Sequence, residues 1–140
     1  MVHRGWKWYG GAGGDGLWWR MQDHRKLHIW HRAQDFAVRV HQLTEAGTGS
    51  AYGACRSQLR RSAQSIGANI AEGAARGTPK QFGHFLEIAQ GSASETESHL
   101  DFAMRIGALN TADALSLIDE IGQLQRMIAV LRRKVLEGSR

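Results

Sequence analysis

Proline occurs once in this chain, at Pro79, and cysteine once, at Cys55. A single proline leaves nearly every segment free to run as uninterrupted helix and argues against a turn-rich β architecture. One thiol excludes an internal disulfide and any multi-cysteine metal site, which fits a reducing cytosol. No apolar run approaches the roughly 18–20 residues needed to cross a bilayer, and the N-terminus lacks the apolar stretch of a secretory signal. Glycines cluster at Gly10–Gly16, but no strand precedes them and no Gly-Lys-Ser/Thr ending follows, so they do not form a phosphate-gripping loop.

What is present is helical. At 140 residues the chain suits one domain with one core. Its formal net charge is +5, and residues 1–20 hold Arg4, Lys7 and Arg20 against Asp15, which leaves +3 for the rest. That bias permits contact with nucleic acid or acidic partners without requiring it. Residues 1–22 read as a tail outside the domain. They carry Trp6, Trp8, Trp18 and Trp19 among six glycines and show no helical or strand period. Met21 directly precedes the helical pattern, so translation is expected to begin there, with an aromatic base-stacking arm as the rival reading of the tail.

Residues 23–138 read as four helices. The first runs from about His24 to Glu45 with Asp23 as its cap and Leu27, Trp30, Ala37, Val40 and Leu43 or Thr44 facing inward. The second spans Ala51 to Ala75, with a stripe of mostly small residues, Leu59, Ala63, Ile66 and Ile70. Thr78-Pro79-Lys80-Gln81 gives the third a capping Thr, a Pro in its first turn and a Gln three residues after the cap. Its stripe is Phe82, Phe85, Leu86, Ala89, Ala93, Thr96, Leu100, Ala103 and Met104. Asn110 or Thr111 caps the fourth, where Leu117, Ile121, Leu124, Ile128, Leu131 and Val135 form a heptad-like seam. Four helices with short connections predict an all-α, antiparallel up-and-down four-helix bundle. Ile29, Phe36, Ile88 and Met127 lie off these seams and are expected to cover a neighbouring copy.

From Leu27 to about Val135 the chain resembles the 23S rRNA intervening-sequence proteins. The resemblance rests on Leu27, Trp30, Tyr52-Gly53, Ser57-Gln-Leu-Arg-Arg61, Ser65-Ile66, Ala68-Asn-Ile-Ala-Glu-Gly73, Arg76, Phe85-Leu86, Ala89, Gly91-Ser92 and Ser94-Glu95. It implies an antiparallel four-helix bundle that assembles with itself into a ring, commonly a homopentamer. It implies no enzymatic activity. Members are known from reading frames inside insertions of bacterial 23S rRNA genes, and distant relatives serve as basic accessory subunits of diversity-generating retroelements. The chain departs from the family at Gly67, where proline is usual, and in the loop after the first helix, which lacks the usual proline and acidic residues.

Two constellations are candidates for function. Arg56, Arg60, Arg61, Arg76 and Lys80 form a basic set suited to phosphate, against the alternative of a solvated face paired to Glu72, Glu87, Glu95 or Asp101. Asn69, Glu72 and Glu95 lie beside the apolar stripes. They read as a structural polar network with Arg60 or Arg61 rather than an acid–base pair, since no nucleophile or oxyanion pocket accompanies them. His24, His28, His31 and Asp35 share a helix face, but one face rarely completes a metal site, so no metal and no cofactor is expected. Cys55 beside Arg56 has the setting for a lowered pKa, without a catalytic partner. The chain therefore reads as a non-enzymatic, cytoplasmic, oligomeric helical protein whose partners are itself and RNA or another nucleic acid. The alternative is a protein-interaction scaffold recruiting a partner enzyme. No membrane contact or small-molecule substrate is expected.

Overall fold

The computed structural model describes residues 22–45 and 50–138, and the expectations for the tail before Gln22 lie outside them. Among the described residues there are four α-helices and no strand: α1 His28–Glu45, α2 Gly53–Ala75, α3 Pro79–Arg105 and α4 Thr111–Glu137. Two short 3-10 turns, His24–Lys26 and Ser50–Tyr52, lead into α1 and α2. No helix among the described residues is long and apolar enough to cross a membrane.

The helix starts follow local chemistry. Thr78 accepts from the Gln81 backbone N–H at 3.2 Å with Pro79 in the first turn, and Asn110 accepts from Asp113 at 2.8 Å. Each satisfies a donor that has no partner inside its helix. The end of α3 is closed by Gly107 at φ 77, the left-handed region glycine favours. There Gly107 N–H reaches Met104 O and Ala108 N–H reaches Ala103 O, a Schellman closure.

The first helix corrects the sequence reading twice. Asp23 does cap, accepting from Arg25 N–H at 3.1 Å, but it caps the 3-10 turn. Leu27 then takes an extended backbone and buries its side chain, so α1 begins only at His28. The inward face is also rotated: Ile29, Ala33, Phe36, Val40 and Thr44 are buried. Ile29 and Phe36, expected to cover a neighbour, belong to the chain's own core. Trp30 misleads because its indole stays partly exposed, edge-on to His24 and His31 at centroid distances of 4.7 and 4.9 Å.

The stripes of α2, α3 and α4 lie where the periodicity puts them. Leu59, Ala63, Ile66 and Ile70 meet Phe82, Leu86, Ala89, Ala93 and Leu100, and these meet Leu117, Ile121, Leu124 and Ile128, all fully buried. Each large aliphatic or aromatic side chain so placed contributes about 1.5–3 kcal/mol relative to exposure. The helices pack in the order α1–α2, α2–α3, α3–α4 and α4–α1. Arg61, Ser62 and Ser65 meet Glu95, Thr96 and Ser92, and Arg32 and Arg39 meet Gln123 and Glu120.

Two buried glycines of α2 differ in what surrounds them. A Cβ on Gly73 would meet Phe85 Cβ at 2.7 Å and Phe82 O at 3.3 Å, so α2 and α3 approach too closely there for a methyl group. A Cβ on Gly67 would meet the tip of the exposed Gln34 side chain at 2.7 Å, which can swing away. The helix also runs through Gly67 without interruption. Gly73→Ala should therefore cost about 1–3 kcal/mol in urea unfolding. Gly67→Ala should be neutral or stabilising by up to about 1 kcal/mol. Equal effects would contradict this packing.

Candidate functional site

The structure divides the five basic residues between two ends of the molecule. Arg60 sits on α2 and Arg76 caps its C-terminal end sixteen residues on, about 24 Å away at 1.5 Å per residue. Arg60 works inside the fold: its Nε donates to Thr44 Oγ1 at 2.8 Å and its NH2 to His41 O at 3.2 Å, tying α2 to the last turn of α1. A cation there also complements the negative end of the α1 dipole. Arg61 donates to Gln58 and pairs with Glu95 on α3. Arg56 is half-buried near the start of α2. Burial pushes the neighbouring Cys55 thiol up, with Arg56 offsetting only part of this, so the expected low pKa is not found.

Asn69, Glu72 and Glu95 do not contact one another within the chain. Asn69 donates back to Ser65 O at 2.8 Å, Glu72 pairs with Arg76 one turn on at 2.5 Å, and Glu95 bridges Arg61 and His99. Partial desolvation raises the Glu95 carboxyl, but hydrogen bonds from Arg61 and His99 outweigh it and hold the group below its ordinary range.

The polar contact between α2 and α3 is made by hydroxyls, of which the sequence reading placed Thr96 on the inward stripe of α3 and gave Ser62, Ser65 and Ser92 no role in packing. Ser65 Oγ lies 2.5 Å from Ser92 Oγ. Thr96 Oγ1 lies 3.0 Å from Ser62 Oγ and 2.7 Å from Ser92 O, and its one proton serves one acceptor at a time. The only available signal was that Ser62, Ser65, Ser92 and Thr96 keep the helical spacing of the apolar stripes. Of the histidine stripe, His31 Nε2 donates to Arg25 O at 2.7 Å, and among the described residues no group of three or more His, Cys, Asp or Glu is arranged to hold a metal.

Arg76 and Lys80 do come together with cations from elsewhere. The end of α2 meets the start of α3 at Gly73 and Phe85, and the Arg76 guanidinium lies 5.0 Å from the Phe85 ring centroid. The start of α3 meets the end of α4, where Arg132 donates to Gly83 O and reaches Glu87. Alongside, the start of α1 faces α4 across an open groove of about 450 Å³ lined by Leu27, His28, Ile29, Arg126, Met127, Val130, Leu131 and Lys134. One end of the molecule thus presents Lys26, Arg76, Lys80, Arg133 and Lys134, all exposed. The same end also carries the exposed Glu72, Glu87 and Glu137, of which Glu72 engages Arg76 and Glu87 reaches Arg132, and the opposite end carries Glu45, Asp101 and Asp113 among its cations. The residues Arg132, Arg133 and Lys134 look in the sequence like ordinary complements to a helix dipole, and only the packing makes them part of a shared surface.

Removing Arg60 by Arg60→Ala should lower stability by about 1–2 kcal/mol in denaturant unfolding, because Thr44 and the α1 terminus lose their partner. No loss would show that this contact is not structural. Glu95 gives a pH signature. A carboxyl lowered in the folded state stabilises above its unfolded pKa, and that contribution fades as pH falls through the folded value. The urea midpoint should therefore fall between pH 6 and pH 3 by less in Glu95→Gln than in the parent chain; an identical fall removes Glu95 from the account.

No curated protein matches this chain. A crystal structure of a protein of unknown function from the S23 ribosomal protein family of Bacteroides thetaiotaomicron VPI-5482 superposes with a TM-score of 0.65 at 24% identity. The match covers 74% of this chain and 97% of that one, which is a likeness of fold. The family model for 23S rRNA-intervening sequence proteins matches residues 25–130, most of the four-helix region. The chain therefore belongs to the 23S rRNA-intervening sequence protein family.

Proposed function

We propose that this is a non-enzymatic, cytoplasmic RNA-contacting protein, built as an antiparallel four-helix bundle that assembles with its own copies into a ring. The bundle reading is supported by residue pairs whose numbers rise on one helix as they fall on the next, as in Ser62–Thr96 and Ser65–Ser92, or Arg32–Gln123 and Arg39–Glu120. Self-assembly is supported by large apolar side chains left open to solvent, with Val38 55%, Phe102 55% and Leu115 53% exposed. The pentameric number comes from the family resemblance.

One observation carries the RNA reading: the gathering of Lys26, Arg76, Lys80, Arg133 and Lys134 at one end. Cations drawn from several helices at one surface suit a polyanion recognised through its phosphates. Among these, Arg76 is engaged by Glu72, whereas Lys80 and Arg133 stand exposed. The basic candidates of the opposite end, Arg60 and Arg61, are engaged within the fold and contribute stability instead.

Fluorescence anisotropy with a labelled RNA hairpin across a salt series tests this reading. Affinity should fall steeply with salt. Joint replacement of Lys26, Lys80 and Arg133 by alanine should reduce the salt slope by about one unit for each phosphate no longer neutralised. The Arg61→Ala variant should bind as the parent does. Salt-independent binding, or a triple variant with unchanged affinity, would overturn the proposal.

A further inference from the structure

The groove between the start of α1 and the last turns of α4 has a chemistry of its own. Its floor is aliphatic, with Met127, Val130 and Leu131 prominent, and Val130 is 40% exposed. Its charged lining residues, Arg126 and Lys134, are both cations, and none of its lining residues is acidic. Those two cations lie eight residues apart on α4, about 12 Å along the axis, with Val130 midway. At about 450 Å³ the groove is as large as many ligand clefts, yet its polar groups sit at the two ends instead of converging on one point. A nucleobase would find no Phe, Tyr or Trp face to stack on there, only the imidazole of His28.

We propose that this groove docks an acidic amphipathic helix of a partner protein, with two carboxylates about two turns apart flanking a pair of aliphatic residues. The aliphatic pair packs on Met127, Val130 and Leu131, and the carboxylates meet Arg126 and Lys134. This is helix-in-groove recognition, with apolar anchors supplying affinity and the charges fixing register and direction. It goes beyond the RNA reading and does not depend on it.

The test uses the full chain and a fluorescein-labelled, alanine-rich helical peptide carrying Glu at i and i+7 and Leu at i+3 and i+4. Anisotropy should report saturable binding, weakened at least tenfold when the two Leu become Ser or the two Glu become Lys. The Arg126→Glu/Lys134→Glu variant should reverse the preference and take the Lys peptide. Val130→Ser, an uncharged change at a position open enough to keep its circular dichroism, should weaken peptide binding at least tenfold while RNA affinity and light-scattering mass stay unchanged. Absence of binding, or equal binding of all three peptides, overturns the proposal. A changed mass in Val130→Ser would give the groove to a second copy of this chain, and lost RNA affinity would give it to nucleic acid; either result also overturns it.

Discussion

The close approach of α2 to α3 is the constraint on which the rest of the structure depends. Gly73 lies against Phe82 and Phe85 with no room for a methyl group, and Ser62, Ser65, Ser92 and Thr96 meet across the same interface. Small residues allow the helix axes to come near one another, while the hydroxyls satisfy each other and nearby carbonyls, so the interface is polar without leaving those groups unpaired. Pairing of particular hydroxyls also selects one register of α2 on α3, because a slide of one turn would separate Ser62 from Thr96. The register, in turn, decides which charged residues share an end of the molecule.

Function is read from that placement. Long helices separate residues that are close in sequence and the connections unite residues that are far apart. Arg60 on α2 and Arg76 at its C-terminal cap serve different ends, whereas Arg76, Lys80 on α3 and Arg133 on α4 share one. Arg60 illustrates how a residue type suited to phosphate is turned to structure: its guanidinium is occupied by Thr44 and His41, so it has less to offer an anion. The cationic end gives the proposed RNA reading a surface.

Much of the fold was legible because its signals are local. Thr78-Pro79 and Asn110 cap where their chemistry demands, and the stripes of α2, α3 and α4 keep strict helical spacing. The phase of α1 was harder, since the bulk of Trp30 suggests an inward position while its indole takes a half-exposed one against two histidines, and Ile29 and Phe36 are buried instead. Leu27 was read as inward and is buried, but its extended backbone ahead of His28 was hidden by an otherwise helical pattern. The basic set was legible as residues but not as a site. Its grouping needs the lengths and pairing of all four helices, whereas the pairs Arg61–Glu95 and Arg76–Glu72 were among the alternatives read from the sequence.

Amide hydrogen exchange, measured with and without bound RNA, tests the central claim most directly. The account predicts added protection where the cationic end is built, at the turn joining α2 to α3 and in the last turns of α4, with little change around Arg56–Arg61. Protection concentrated at the start of α2 and the end of α1, with the α2–α3 turn unaffected, would contradict it.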